Sequence, residues 1–109
     1  MQCRVELREH AVVVSATGAI DLASQATFAE AIQDALRQTA PSVVVDLAGV
    51  TFLASPGLAV LVEAQEQSMR ADKDLQVAVG NEIVAHALEL TGLGQVLSLV
   101  PDVETALGH

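Results

Sequence analysis

A chain of 109 residues has room for one domain. Just over half of it, 51%, is hydrophobic, with two Phe and no Trp or Tyr, so a core can form without disulfide or metal and must be built from Val, Leu, Ile and Ala. The net charge of −9, with Arg4, Arg8, Arg37, Arg70 and Lys73 far apart, argues against nucleic acid as a partner, because that needs a basic stripe.

Val5 and Leu7, then Ala11 to Val14, read as two adjacent strands with Arg8-Glu9-His10 as the hairpin turn, and Gly18 is expected to end the second. Phe28, Ile32, Ala35 and Leu36 fall at helical spacing, with Asp21 or Ser24 as the N-cap and a stop before Pro41. Ser42 to Asp46 is a continuous apolar run, the pattern of a strand buried on both faces. A joint, Ala54-Ser55-Pro56-Gly57, leads into a second helix. Leu58, Leu61, Val62 and Met69 mark its apolar face, and Glu63, Glu66 and Arg70 its polar face. Leu75 to Val79 is the next strand. Asn81 caps a helix carrying Ile83, Val84, Ala87, Leu88 and Leu90, which ends at Gly92. Val96 to Val100 makes the last strand, and Pro101 opens a short helix with Val103 and Leu107. The order β-β-α-β-α-β-α-β-α implies an α/β fold with a largely parallel sheet of four to five strands and about four helices, the first strand antiparallel at an edge.

The residues carry little catalytic or metal-binding pattern. Cys3 stands alone, so no intramolecular disulfide forms, and its place near a terminus gives it no evident role. His10, His86 and His109 are scattered and fit no zinc motif, so no metal site is expected. A nucleophile elbow needs G-x-S-x-G; Ala54-Ser55-Pro56-Gly57 lacks the leading glycine and has no base at hand, which argues against an enzyme. No phosphate-binding loop is present, since the glycines of Thr91 to Gln95 follow a helix instead of opening one, and no cofactor is expected. The first ten residues lack the apolar segment of a signal peptide, and the longest uncharged run, Leu47 to Val62, is interrupted by Pro56 and Gly57 and too short to span a bilayer. A cytoplasmic location without membrane insertion is the expectation.

Ser55 is therefore the residue to explain. It precedes Pro56 and follows an apolar stretch, the pattern of an N-cap serine with proline at the first helical position. As a cap it would contribute about 1 kcal/mol, lost on Ser55→Ala. A phosphate there would sit at a helix N-terminus, which tolerates an anion, and would add roughly −1.5 to −2 charges at an exposed corner.

The run "VVVDLAGVTFLASPGLAVLV" resembles the central motif of STAS domains, the anti-sigma factor antagonist family. That motif reads D-L-S-G-V, two apolar or aromatic residues, then D-S-S-G-L. Asp46, Leu47, Gly49, Val50, Phe52, Ser55, Gly57 and Leu58 match it. Gly18, Ile20 and Asp21 resemble the family's G-x-[LI]-D segment, and Ala87 to Leu107 its closing segment. The resemblance implies a single STAS domain over residues 3–108. It also implies a protein that binds an anti-sigma factor with serine kinase activity and so frees a sigma factor. Phosphorylation of Ser55 would switch this binding off, and a serine phosphatase would reset it. The contact residues it implies are Asp21, Ala54, Ser55, Pro56 and Gly57, with Ala59 and Val60 from the second helix; Asp46 reads as structural, holding the loop through backbone N–H groups. Ala54 stands where the family has an acidic residue, and Pro56 where it usually has Ser or Thr. Both departures bear on phosphorylation more than on binding. Alternatives are a STAS subunit of a phospholipid-transporting ABC complex, a stressosome scaffold, and a module that binds a nucleotide or another small ligand.

Overall fold

The computed structural model describes residues 1–108. Strand β1 (Gln2–Arg8) and strand β2 (Ala11–Ile20) form an antiparallel hairpin in which Arg8 pairs with Ala11. Only Glu9 and His10 form the turn, with Glu9 at φ 57, the left-handed conformation that two-residue hairpins use. Helix α1 (Gln25–Arg37), strand β3 (Ser42–Leu53), helix α2 (Ser55–Arg70) and strand β4 (Asp74–Ala78) follow. Helix α3 (Glu82–Thr91), a 3-10 turn at Leu93–Gln95, strand β5 (Leu99–Val100) and helix α4 (Val103–Ala106) come last among the described residues. The sheet order is β1-β2-β3-β4-β5, with every pair parallel except β1 with β2.

The parallel register explains the valine-rich sequence. Val12, Val43 and Leu75 lie in one row across the sheet, and Val14, Val45 and Val77 in the next. These rows point to one face and join Phe28 and Ile32 of α1, Leu58 and Leu61 of α2, and Val84 and Leu88 of α3 in the main core. The alternate residues Ala11, Val13, Val44 and Ala78 point the other way and pack under Leu107, Val103 and Ala106. Val43, Val44 and Val45 are all buried, as a strand covered on both faces requires.

Several boundaries differ from the sequence pattern. Gly18 does not end β2; with φ +93 it sits where the register against β3 shifts, and the strand continues to Ile20. Strand β3 runs past Asp46 to Leu53 because β2 continues to pair with it after β4 has ended. Strand β5 keeps only Leu99 and Val100, and Val96 lies exposed. Met69, Ile83 and Leu90 face solvent, while Ser68 takes the buried place on α2 by donating its hydroxyl to the Gln65 carbonyl at 2.8 Å. Asp102, not Pro101, opens α4: its carboxylate accepts the Thr105 N–H at 2.8 Å. That bond holds the Asp102 carboxyl below the usual carboxylate range.

Candidate functional site

Strands β2 and β3 end together. Ile20 pairs with Leu53, and the Ala54 N–H donates to the Ile20 carbonyl at 2.9 Å. The segments that follow, beginning at Asp21 and Ser55, therefore leave the sheet side by side.

The Asp21 segment is locked by a reciprocal pair of bonds. The Asp21 N–H donates to Ser24 Oγ at 2.9 Å, and the Ser24 N–H donates to Asp21 Oδ1 at 3.2 Å. This is the logic of a capping box, applied to the turn ahead of α1. The Ser24 hydroxyl also donates to the Ala19 carbonyl at 3.0 Å. Ser24 occupies the N-cap position of α1 but makes no side-chain cap bond, since its hydroxyl is spent on the turn. The tight turn projects Leu22, which is 76% exposed.

The Ser55 segment departs from the sequence expectation by one residue. The N-cap of α2 is Ala54, in extended conformation, with Ser55 and Pro56 as the first two helical residues and no side-chain cap bond. Ala54 ends the sheet with its N–H on the Ile20 carbonyl, and the helix begins at the very next residue. The Ala54 carbonyl then accepts the Gly57 and Leu58 N–H groups at 2.9 and 3.2 Å. Pro56 has no N–H, which costs nothing in a first turn. Ser55 is exposed, and its hydroxyl engages none of the described residues. It is not a cap.

Gly57 is buried for a steric reason. A Cβ at this position would lie 2.6 Å from Ile20 Cγ2 and 2.7 Å from Leu53 Cδ1. Only glycine lets the start of α2 rest directly on the Ile20–Leu53 pair. Ala54 and Pro56 are half-buried beside it, and Ala59 is exposed one turn along the helix. Val60 is turned inward, 7% exposed and part of the main core, which removes it from the contact face that the sequence suggested. Two residues that the sequence did not single out for contact flank the site: Leu22, and Phe52 at 54% exposure. The signal for Phe52 was strand alternation, because the residue before a buried Leu53 points to the opposite face.

The end of β3 is also fixed from behind. Asp46 Oδ1 accepts the Ala48 N–H at 3.0 Å, and Oδ2 accepts the Ser15 hydroxyl at 3.4 Å. Asn81 does more than cap α3. Its Oδ1 accepts the Val84 N–H at 2.9 Å while its Nδ2 donates to the carbonyls of Leu47, Ala48 and Val50 at 3.0 to 3.1 Å. The stretch of β3 that β4 no longer pairs is thus held by one side chain.

The first turn of α2 carries no acidic and no basic side chain, so the partial positive charge of the helix N-terminus is left uncompensated by its own residues. Among the described residues no three His, Cys, Asp or Glu side chains come together as a metal would need, and His10 and His86 are exposed. His109 lies outside the described residues. No helix among the described residues is long and apolar enough to cross a membrane.

Residues 3–101 match the family model described as "Mlab, STAS domain". The anti-sigma-F factor antagonist RsfA of Mycobacterium tuberculosis is 30% identical over 109 residues, spanning 98% of this chain and 85% of that protein. The crystal structure of an anti-sigma factor antagonist from Mycobacterium paratuberculosis superposes with a TM-score of 0.86 at 28% identity, covering 98% of this chain and 91% of the other. The anti-sigma factor antagonist SpoIIAA in its unphosphorylated form shares the fold, with a TM-score of 0.78 at 17% identity over 97% of this chain and 93% of its own.

Proposed function

The chain belongs to the STAS domain family, and from that membership we propose that it is an anti-sigma factor antagonist which docks on an anti-sigma factor through the paired ends of β2 and β3. The supporting observation is the bond from Ala54 to the Ile20 carbonyl, which makes the Asp21 turn and the Ser55 turn one continuous surface. On that surface Leu22, Phe52 and Ala59 offer apolar contact, and Asp21 and Ser55 offer polar contact. Ala54, Pro56 and Gly57 shape it from beneath. Binding there withdraws the anti-sigma factor from a sigma factor and leaves the sigma factor free.

The same surface carries the switch. A kinase, the anti-sigma factor itself in this reading, transfers the γ-phosphoryl group of ATP to the Ser55 hydroxyl oxygen: the bond to the β-phosphate breaks, ADP leaves, and the hydroxyl proton passes to a base of the kinase. The product adds roughly −1.5 to −2 charges at a helix N-terminus that accommodates them. The fold is kept, and the partner meets charge and bulk where it met a small hydroxyl. A phosphatase removes the group.

The test is calorimetric titration of a purified anti-sigma factor with the native chain, Ser55→Ala and Ser55→Glu, together with intact-mass analysis of chain recovered from growing cells. Binding by the first two, its loss in Ser55→Glu, and a phosphate mapped to Ser55 support the proposal. No binding by the native chain to any candidate anti-sigma factor overturns it. The departures at Ala54 and Pro56 favour one second reading, a constitutive STAS subunit of a phospholipid-transporting ABC complex. Co-purification with an ATPase subunit and no phosphate on Ser55 would establish that instead.

A further inference from the structure

The outer edge of β1 meets no other strand among the described residues, since β1 pairs only with β2. Such an edge presents a row of N–H and C=O groups ready to pair. It also exposes two apolar side chains, Val5 at 37% and Leu7 at 64%. Two of the five cationic residues of a chain with net charge −9, Arg4 and Arg8, lie on it.

The sequence of β1, Gln2-Cys3-Arg4-Val5-Glu6-Leu7-Arg8, is complementary to itself when read antiparallel. Pairing about Val5 brings Val5 opposite Val5 of a second copy, Arg4 opposite Glu6, Cys3 opposite Leu7, and Gln2 opposite Arg8. Facing residues in an antiparallel pair share a face, so only registers shifted in steps of two residues are allowed. Shifting by one step toward the N-terminus sets Arg4 opposite Arg4. Shifting the other way sets Glu6 opposite Glu6 and Arg4 opposite Arg8. Facing like charges destabilise a strand pair and facing opposite charges stabilise it. The register centred on Val5 is also the one that pairs all seven residues of the strand.

We infer that this chain forms a two-fold homodimer by antiparallel pairing of β1 with β1 of a second copy, making one continuous sheet across both molecules. The exposed apolar side of the strand, Val5 and Leu7, is covered by the same residues and Cys3 of the other copy. Arg4 exchanges its contact with Glu6 of its own strand, 3.4 Å in the single chain, for Glu6 across the dyad. The Ser55 surface, at the ends of β2 and β3, is not part of the paired edge, so the inference stands apart from the proposed function.

Sedimentation equilibrium across the micromolar range tests it on the full chain and three variants, with circular dichroism to show that each is folded. Arg4→Glu and Glu6→Arg each place like charges opposite one another twice per dimer. Each is expected to raise the dimer dissociation constant about tenfold or more. The double exchange Arg4→Glu with Glu6→Arg restores opposite charges in the same register and is expected to restore the dimer. A native chain that stays monomeric throughout, single variants that dimerise as the native chain does, or a folded double variant that stays monomeric would each overturn the inference.

Discussion

Ser55 and Gly57 show how far single residues can be read. The serine-proline pair suggested a cap, and a cap costs about 1 kcal/mol to remove. In the fold the helix begins one residue earlier: the Ala54 carbonyl, at the end of the sheet, accepts the Gly57 and Leu58 N–H groups, and the strand that holds Ala54 there is invisible in local sequence. Ser55→Ala is therefore expected to change urea-unfolding stability by less than about 0.5 kcal/mol. Gly57→Ala is expected to cost about 1–3 kcal/mol, since its Cβ would press on Ile20 and Leu53. Asp102 adds a pH dependence. Its carboxyl is held below the ordinary value of 3.8 by the Thr105 hydrogen bond, so its contribution is fully present above that value. The contribution is lost as pH falls through the lower folded value. Stability of the native chain minus that of Asp102→Ala, measured against pH, should be level above about 4 and close below it.

Among the elements, the ones with strong period and clear punctuation were legible. The valine rows of the sheet, α1 with Phe28 and Ile32, and the Asn81 and Gly92 ends of α3 follow from pattern alone. The length of β3 was not legible. Its second half is a strand only because β2 continues beside it and Asn81 grips it from α3, both long-range facts. The same is true of Met69 and Leu90, whose helical spacing looked buried but whose helices turn them outward. Asn81→Ala removes the α3 cap and strands the Leu47 and Val50 carbonyls. The expected loss is about 2–4 kcal/mol in urea unfolding. Asn81→Asp keeps the acceptor for Val84 but has no donor for β3, and should recover only the capping part.

For the whole molecule, the order of elements was enough to expect a parallel sheet with an antiparallel edge, because the crossover rules leave few other ways to join them. Of the proposed site, Asp21, Ser55 and Ala59 were named from sequence and lie exposed or half-exposed at the same end, while Leu22 and Phe52 needed the fold to be seen. The contact of Gly57 with Ile20 and Leu53 has a consequence for signalling. The start of α2 rests on the sheet with no room to move inward, and Ser55 projects from it into solvent. Phosphorylation should therefore shift amide NMR resonances only in the Asp21 and Ser55 turns and leave the rest of the spectrum in place. On the proposed function, a phosphate on Ser55 would be read as a mark and not as a change of shape. The off-time would then be set by how fast a phosphatase removes one phosphate ester, with no refolding step to wait for.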